Sequence, residues 1–349
     1  MEIHQILPTI SPGDAIGNEV REIKRVLNEW GYKSEIYAQN IHPKINAKKY
    51  TEYEKVSSRE NILIFHFSIG SEVSEFVAKL PDKKILIYHN ITPPKYFFGV
   101  NETLVNLLKN GKKELRSLVD HIDLAVGVSE YNRLELQKMG FKNTDVLPII
   151  VDFHEYSSPN EKLLSKYDDD FVNLLFVGRV TPHKKQEDII KVFYYYKLIN
   201  PKSRLFLAGS YEGCEVYSDY LKKLIQNLNL KDVYLLGKIS FNDLISYYKL
   251  ADIFLCMSEH EGFCVPILES MYFEVPIIAY KSTAIPSTLE NTGIIVNEKN
   301  YCEIAEMINI LIEDEELRST VIQKQKNRLD DFKREKILSH FKSILLKVK

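Results

Sequence analysis

Two glutamates, Glu261 and Glu269, lie eight positions apart around a segment that is typical of the start of a helix. Gly262 lets the backbone come close to a ligand, and Pro266 suits the first helical turn, where no amide hydrogen bond is lost. Free amides at a helix start attract phosphate, and carboxylates accept hydrogen bonds from the hydroxyls of neutral diols. The pattern therefore favours a sugar-nucleotide site, with a diphosphate on the amides and the two carboxylates on hydroxyl groups.

The alternative is that both glutamates are surface charges, which the dipole of a helix favours near its N-terminus. The residues before them, 250–258, form an apolar run that is typical of a buried strand. The motif then lies where a strand ends and a helix begins, and the ligands of open α/β sheets bind at such carboxyl ends. This context favours the site over the surface charges.

Two cations occupy the loop after another apolar run, residues 172–177. Gly178 and Arg179 open this loop, and Lys184 follows just before an amphipathic segment. Arginine offers a planar fork to phosphate oxygens and lysine a mobile point charge, so the two would offset the charge of a diphosphate leaving group. A solvated basic loop is the alternative interpretation, and Lys185 is an alternative to Lys184.

His89 ends a third apolar run and precedes a loop that contains two prolines. In that position it would face a cleft and donate to a sugar hydroxyl or to developing charge, whereas the alternative is a packed or capping histidine. The loop between the first strand and the first helix, residues 8–18, is suited to bring amides to a phosphate or an acceptor, although it is not a GxGxxG fingerprint. Its candidate acceptor contacts are Gly13, Asp14, Gly17 and Asn18.

Short apolar runs alternate with longer amphipathic segments, which predicts an α/β fold with parallel strands. In the first half we expect strands at residues 3–10, 34–38, 61–67, 84–89, 124–129 and 144–147, and helices at 17–30, 71–78, 102–121 and 130–139. This alternation of apolar and amphipathic segments is lost over residues 151–170, which we interpret as a linker. It resumes with predicted strands at 172–177, 204–208, 233–236, 253–257, 276–279 and 293–296. Residues 301–349 are expected to be helical throughout. The pattern predicts two doubly wound, Rossmann-like domains with a cleft between them.

The composition restricts the class of protein. The chain has 349 residues and a formal net charge of −2, so the length favours two domains and the lack of a basic field argues against a nucleic-acid binder. Cys214, Cys256, Cys264 and Cys302 lack CxxC spacing, and we expect free thiols. There is no signal-peptide pattern and no apolar run of membrane-spanning length, which predicts a cytoplasmic protein.

The predicted helix 102–121 has a partly basic side, formed by Lys109, Lys112, Lys113 and Arg116, with leucines beside it. This pattern also occurs in helices that lie on anionic membranes, so peripheral contact with the inner face of the cell membrane is one interpretation. An ordinary amphipathic helix with a solvated face is the favoured one.

The chain resembles family 4 of the retaining glycosyltransferases through the order of its motif residues: Gly178-Arg179 with Lys184, then Gly237, then Ser258 with Glu261-Gly262-Phe263, and Glu269. The likeness extends over nearly the whole chain and is strongest over residues 173–279. It implies the GT-B fold, in which two Rossmann-like domains face a central cleft. Two residues depart from the family pattern, since Cys264 and Lys185 stand where glycine is frequent.

The resemblance implies a role for each matching residue. The donor-binding residues would be Gly178, Arg179 and Lys184 around the diphosphate, Gly237 and Ile239 at the nucleobase, Glu261, Gly262, Phe263 and Cys264 at the donor sugar, and Glu269 at the ribose. The acceptor-binding residues would be Gly13, Asp14, Gly17, Asn18, His89 and Asn90, and the catalytic set His89, Arg179, Lys184 and Glu261. Residues 1–155 would form the acceptor-binding domain and 156–331 the nucleotide-sugar-binding domain, with a last helix, 332–349, that crosses back to the first.

The implied activity is metal-independent transfer of a hexose with retention of anomeric configuration, in which a donor phosphate oxygen helps to take the acceptor proton. The co-substrate would be a GDP- or UDP-linked sugar, with GDP-mannose favoured, and no other cofactor is expected. The acceptor would be a glycan or lipid-linked glycan of cell-surface polysaccharide or glycoconjugate synthesis. The alternatives are a non-catalytic sugar-nucleotide- or glycan-binding protein, a phosphorylase and a sugar-nucleotide epimerase on the same fold. No oligomeric state follows from the sequence.

Overall fold

A computed structural model of the chain describes residues 1–13 and 15–349. Asp14, one of the candidate acceptor contacts, therefore lies outside the described residues. The chain divides into two compact units. The first unit comprises residues 1–95, 102–151 and 332–349, and the second comprises residues 96–101 and 152–331.

The first unit is built on a seven-stranded parallel sheet. Its strands are β1 (Ile3–Ile10), β2 (Ile36–Ile41), β3 (Lys48–Lys49), β4 (Ile62–Phe67), β5 (Lys83–Tyr88), β6 (Leu124–Gly127) and β7 (Thr144–Val146). They lie in the order β3-β2-β1-β4-β5-β6-β7. The chain thus winds outward from β1 in one direction and from β4 in the other, which places the topological switch point between β1 and β4. Ligands of such sheets bind outside the carboxyl ends of the strands at this point.

The described residues of the first unit form five α-helices. They are α1 (Ala15–Glu29), α2 (Glu72–Lys79), α3 (Glu102–Ser117), α4 (Glu130–Met139) and the last helix of the chain, α13 (Arg334–Val348). Phe341 of α13 is buried and its ring lies 5.8 Å from that of Trp30. Arg334 Nε donates to Glu22 Oε1 over 2.8 Å, and Lys347 Nζ donates to Asp145 Oδ2 over 2.6 Å. These contacts attach the C-terminal helix to the first unit.

The second unit has a six-stranded parallel sheet in the order β10-β9-β8-β11-β12-β13. Its strands are β8 (Val172–Val177), β9 (Ser203–Ala208), β10 (Val233–Gly237), β11 (Ile253–Cys256), β12 (Ile277–Tyr280) and β13 (Ile294–Val296). Its helices are α5 (Glu161–Lys166), α6 (Gln186–Ile199), α7 (Glu215–Asn227), α8 (Phe241–Leu250), α9 (Val265–Tyr272), α10 (Ile285–Leu289), α11 (Tyr301–Glu313) and α12 (Glu315–Leu329). The switch point of this sheet lies between β8 and β11.

The central strands are apolar on both faces because helices cover both sides of a parallel sheet. Leu174, Leu175 and Phe176 of β8 are all buried, and every residue of β11 is buried. The continuous apolar runs of the sequence therefore marked these strands correctly, and the predicted α/β class with two parallel sheets is confirmed. None of the helices formed by the described residues is long and apolar enough to cross a membrane.

The structure differs from the sequence-based expectations at element ends. The segment 151–170 contains α5, whose first turn is capped by the side chain of Asn160, which accepts from the amides of Lys162 and Leu163. Residues 301–349 are not helical throughout, because the Asp314 side chain caps a new helix and residues Asp330–Phe332 form a 3-10 turn. The contacts divide the units after Val151 instead of after residue 155, and they group residues 96–101 with the second unit. β3 and α10 are too short to show periodicity and were not predicted.

Gly209, which follows β9, lets two loops of the second sheet meet closely. Its amide donates to the carbonyl of Gly237 over 2.9 Å, and a Cβ at this position would lie 1.9 Å from the carbonyl oxygen of Gly178. A side chain here would therefore displace the loop that begins at Gly178.

We expect Gly209→Ala to destabilise the protein by about 1–3 kcal/mol, the usual cost of overpacking. Gly31→Ala is the control, because Gly31 has a φ of +83° but no atom within 4 Å of an added Cβ, so it tests backbone strain alone. Thermal unfolding of both variants measures the difference. An equal fall in melting temperature would contradict the steric role of Gly209.

Candidate active site

Three of the predicted charged residues, Arg179, Lys184 and Glu261, lie on two loops at the switch point of the second sheet. β8 and β11 are adjacent and parallel, with Leu174 opposite Ile253 and Leu175 opposite Phe254. Their carboxyl ends therefore meet at the same edge of the sheet. The loop after β8 carries Lys184, and the loop after β11 carries Glu261.

Lys184 and Glu261 form a buried ion pair between these two loops. Lys184 Nζ lies 2.6 Å from each carboxylate oxygen of Glu261, and the side chains are 19% and 6% exposed. Burial acts to lower the pKa of Lys184, but the Glu261 carboxylate outweighs it and leaves the pKa above its ordinary value. The ammonium therefore stays protonated and charged at neutral pH.

The backbone after β8 selects Lys184 over Lys185 for this contact. Residues Pro182–Lys184 form a 3-10 turn, closed by the Lys184 amide donating to the Thr181 carbonyl over 2.9 Å. The next residue, Lys185, has a φ of +56°, and its ammonium lies 3.4 Å from Glu187 and 3.7 Å from Glu259. Because the backbone reverses at Lys185, the ammonium groups of the two adjacent lysines contact different carboxylates.

Thr283 fixes the backbone of Glu261 from both sides. Its hydroxyl oxygen accepts from the Glu261 amide over 2.7 Å, and its hydroxyl donates to the Glu261 carbonyl over 2.8 Å. Three residues on, Cys264 has a φ of +73° and precedes the first turn of α9. Cys264 and Lys185 stand at the two positions where glycine is frequent in the family that the chain resembles. Both residues adopt the left-handed backbone conformation that favours glycine. Their backbone geometry therefore explains why glycine is frequent at these positions.

Glu269, in the second turn of α9, is 6% exposed. Tyr156 Oη donates to its Oε1 over 2.7 Å, and Tyr248 Oη donates to its Oε2 over 2.6 Å. Burial raises the pKa of Glu269, and the two tyrosine hydrogen bonds oppose the rise. Both glutamates of the motif are therefore buried and bonded, and the interpretation as surface charges is wrong. Sequence reasoning missed Tyr156, Tyr248 and Thr283, because a single tyrosine or threonine far along the chain carries no local signal.

The other candidate donor residues surround this edge of the second sheet. Arg179 is exposed, and its Nη2 donates to the Glu212 carbonyl over 3.0 Å. Gly178 packs closely against the loop after β9, and Gly237 ends β10 with a φ of +66°. Ile239 lies half-buried beyond Gly237. Gly262 and Phe263 lie between Glu261 and α9, where the Phe263 carbonyl accepts from Thr288 Oγ1 over 2.8 Å.

His89 lies in the first unit with its side chain 3% exposed, directed into the unit instead of outward as expected. Its Nε2 lies 3.0 Å from His66 Nδ1, and the two rings stack with centroids 5.3 Å apart. Burial lowers the pKa of His89 to about 3, so the ring is neutral. The next residue, Asn90, has a φ of +84°, and its Nδ2 donates to Asn132 Oδ1 over 2.7 Å.

Helix α1 begins earlier than expected, which changes the setting of three candidate acceptor residues. Gly13 precedes the helix with a φ of +81°. Gly17 and Asn18, which the predicted loop 8–18 and the predicted helix 17–30 share, lie inside α1. Gly17 is buried and Asn18 is exposed, and Asn18 Oδ1 accepts from Arg21 over 2.6 Å. Of these, only Asn18 presents a side chain to solvent.

Two groups of potential metal ligands occur among the described residues. Glu19, His66 and His89 form one group, and Cys256, Glu261 and Cys264 the other, each with one ligand atom per residue within 4.8 Å of the others. Glu261 is paired with Lys184, and a hydrogen bond with the Cys256 thiol raises the pKa of Cys264 well above its ordinary value. Metal independence stays a prediction.

Replacement of either member of the buried ion pair should change the stability of the protein. Lys184→Met and Glu261→Gln should each destabilise the protein by about 3 kcal/mol, because each leaves one buried charge without its partner. The double variant removes both charges and should recover most of the loss. Urea unfolding of the four members of this double-mutant cycle measures the coupling energy. Strictly additive losses would contradict a buried, coupled pair.

Comparison with known proteins finds a family match within the second unit. The family model of glycosyl transferases group 1 matches residues 161–328, which contain Lys184, Glu261 and Glu269. A capsular polysaccharide biosynthesis glycosyltransferase of Staphylococcus aureus is 34% identical over 192 residues, which is 52% of this chain and 48% of that protein. The chain thus matches about half the length of this relative. The N-acetyl-alpha-D-glucosaminyl L-malate synthase of Bacillus anthracis is 23% identical over 322 residues, or 88% of this chain and 81% of that protein.

Solved structures agree on the fold. The sucrose-phosphate synthase of Thermosynechococcus elongatus superposes with a TM-score of 0.79 at 16% identity, covering 99% of both chains. The predicted GT-B fold class is confirmed. The family match over residues 161–328, the polysaccharide glycosyltransferase relative and the GT-B fold together support the resemblance of this chain to the glycosyl transferases of group 1.

Proposed function

We propose that the protein is a retaining hexosyltransferase that moves a hexose from a nucleotide-diphosphate sugar to a glycan or lipid-linked glycan acceptor. The observation that carries this proposal is the buried ion pair between Lys184 and Glu261 at the switch point of the second sheet. A buried charge pair costs desolvation energy that an apolar pair would not. The pair lies at the edge where α/β sheets bind ligands, and ligand binding would explain why the chain carries a pair that is costly to bury.

The ion pair positions the Lys184 ammonium and the Glu261 carboxylate for a nucleotide-sugar donor. A diphosphate brings several anionic oxygens, which would compete with Glu261 for the Lys184 ammonium. Once Lys184 contacts the diphosphate, the Glu261 carboxylate is left to accept hydrogen bonds from hydroxyls of the donor sugar. Lys184 then offsets the charge that develops on the leaving diphosphate, and Arg179, which is exposed, is the second cation proposed for this role.

Glu269 is proposed to hold the ribose. Each of its oxygens accepts one tyrosine hydroxyl, from Tyr156 or Tyr248, and a carboxylate oxygen has a second lone pair for another donor. The tyrosines fix the orientation of the carboxylate and favour its ionised form. A ribose diol would therefore meet a prepared acceptor pair, with the nucleobase near Gly237 and Ile239.

The names of two relatives support the proposed acceptor class. The Staphylococcus aureus relative is named for capsular polysaccharide biosynthesis, which supports a glycan acceptor and a role in cell-surface polysaccharide synthesis. The Bacillus anthracis relative is named for a malate product, so a small hydroxy acid is the competing acceptor class. GDP-mannose is the proposed donor, and the proposed reaction uses no metal, retains anomeric configuration and takes place in the cytoplasm.

A panel of GDP-, UDP- and ADP-sugars tests the proposal in a thermal-shift assay. The correct donor should raise the melting temperature, since a ligand at about 100 times its Kd stabilises the folded state by about 2.7 kcal/mol. The Lys184→Met/Glu261→Gln double variant is the control, because it should keep its fold and lose the shift. A panel without any shift, or an equal shift in the double variant, would contradict the donor site.

Product analysis then separates the transferase from its alternatives. With the stabilising donor and a panel of glycan, lipid-linked and malate acceptors, we expect a new glycosidic bond of the same anomeric configuration as the donor, detected by NMR. Binding without any product would identify a sugar-nucleotide-binding protein. A changed sugar on the nucleotide without an acceptor would identify an epimerase.

A further inference from the structure

Lys299 connects three segments of the second unit through two ion pairs. It lies between β13 and α11, and its side chain is 15% exposed. Its Nζ donates to Asp188 Oδ2, in the first turn of α6, over 2.7 Å. The same Nζ donates to Glu259 Oε1, in the loop after β11, over 2.9 Å. One ammonium therefore links parts of the chain that lie far apart in the sequence.

Glu259 is the residue through which this ammonium reaches the active-site loops. The Glu259 amide donates to the carbonyl of His183 over 2.8 Å. His183 is the residue before Lys184, and Glu259 lies two residues before Glu261. This backbone hydrogen bond therefore joins the loops after β8 and β11 next to the two residues of the active-site ion pair.

Two tyrosines support the positions of Lys299 and Asp188. The Lys299 ammonium lies 4.6 Å from the centroid of the Tyr280 ring, at the end of β12, and a ring face attracts a cation at this distance. Tyr301 Oη donates to Asp188 Oδ1 over 2.7 Å, so the segment that carries Lys299 makes a second contact with Asp188. Lys299 and Asp188 are thus fixed by several contacts.

Removal of the ammonium should therefore release Glu259 and not Asp188. The two carboxylates share one cation, and without it two like charges would face each other and repel. The Asp188 side chain is 8% exposed and keeps its bond from Tyr301, whereas the Glu259 side chain is 31% exposed and can rotate towards water. Glu259 is the member of this group whose position depends on Lys299.

We propose that Lys299 is a positioning residue for the ion pair of the active site. By holding Glu259, it keeps the loop that carries Glu261 next to the loop that carries Lys184. Lys185, whose ammonium lies 3.7 Å from Glu259 Oε1, adds a longer contact to the same carboxylate. The effect of Lys299 on donor binding rests on the proposed function, whereas its effect on the ion pair does not.

The double-mutant cycle of Lys184→Met and Glu261→Gln, repeated in a Lys299→Met background, tests this role without a donor. Lys299→Met removes the ammonium and keeps an apolar side chain of similar length. We expect the coupling energy between Lys184 and Glu261, measured by urea unfolding, to lose most of its wild-type value, because the two loops are no longer held together. Lys299→Arg keeps the charge and should restore the coupling. An unchanged coupling energy in the Lys299→Met background would overturn the proposal.

Glu259→Ala tests the same link from its other end, also if Lys299→Met does not fold. The Glu259 side chain is partly exposed, so its removal breaks the link at a smaller cost to folding. It should lower the coupling energy as Lys299→Met does, and the two changes combined should lower it no further. An unchanged coupling energy in Glu259→Ala, or additive losses in the combined variant, would show that Lys299 does not act through Glu259.

Lys191→Met is the matched control. The Lys191 ammonium lies 3.6 Å from Asp188 Oδ1 and 5.3 Å from the centroid of the Tyr301 ring. It therefore also combines an ion pair to Asp188 with an aromatic contact, but it pairs within α6 instead of joining Asp188 to Glu259. This variant should leave the coupling energy unchanged. A loss equal to that of Lys299→Met would assign the effect to charge near Asp188 and contradict the role of Glu259.

A binding titration with the sugar nucleotide found in the thermal-shift panel adds a functional readout. Lys299→Met should raise the Kd of the donor about tenfold, since misplacement of binding groups by about 1 Å costs up to about 100-fold. Lys299→Arg and Lys191→Met should bind the donor as the wild type does. An unchanged Kd in Lys299→Met would overturn the positioning role and leave the proposed transferase intact. A wild type that binds no donor would contradict the proposed function alone, because the coupling energy decides on Lys299 without a donor.

Discussion

The buried ion pair between Lys184 and Glu261 is the interaction on which the site of the second unit depends. It joins the loops that follow two adjacent parallel strands, so it forms only when β8 and β11 are paired in register. Each charge makes the burial of the other tolerable, and neither would be stable there alone. In the proposed function, the same pair supplies a cation and a carboxylate to a ligand that carries phosphates and hydroxyls.

Backbone geometry supports this interaction at several points. Thr283 fixes the Glu261 peptide from both sides, and the reversal at Lys185 directs the preceding lysine towards the carboxylate. The close approach of Gly209 to Gly178 brings the loops after β8 and β9 together. The first unit also has buried polar groups at its own switch point, where hydrogen bonds link Gln5, His66 and His89, and where Glu19 Oε2 lies 3.5 Å from His89 Nδ1. Both sheets therefore carry buried polar groups at the place where α/β proteins bind ligands.

Much of the fold was predictable because its signals are local. The apolar runs predicted β8 and β11 within one residue of their ends, and Pro266 marked the start of α9. The spacing of Glu261 and Glu269 with Lys184 pointed to one site, and the structure brings Lys184 and Glu261 into contact. The partners of Glu269 were not predictable, because Tyr156 and Tyr248 lie far from it in the sequence and nothing local distinguishes them from packed tyrosines. The orientation of His89 was also missed, since its buried neighbours His66 and Glu19 lie far from it in the sequence.

The sequence by itself determined the order of most strands and helices, the class of fold and the chemical types of residue at the carboxyl ends of the strands. These properties follow from hydrophobic periodicity and from the backbone preferences of glycine and proline, which act over a few residues. Only the tertiary structure decided that Lys184 and not Lys185 meets Glu261, that both motif glutamates are buried, and that His89 faces Glu19. These outcomes depend on contacts between segments distant in the chain, and burial in the folded protein sets which groups are charged.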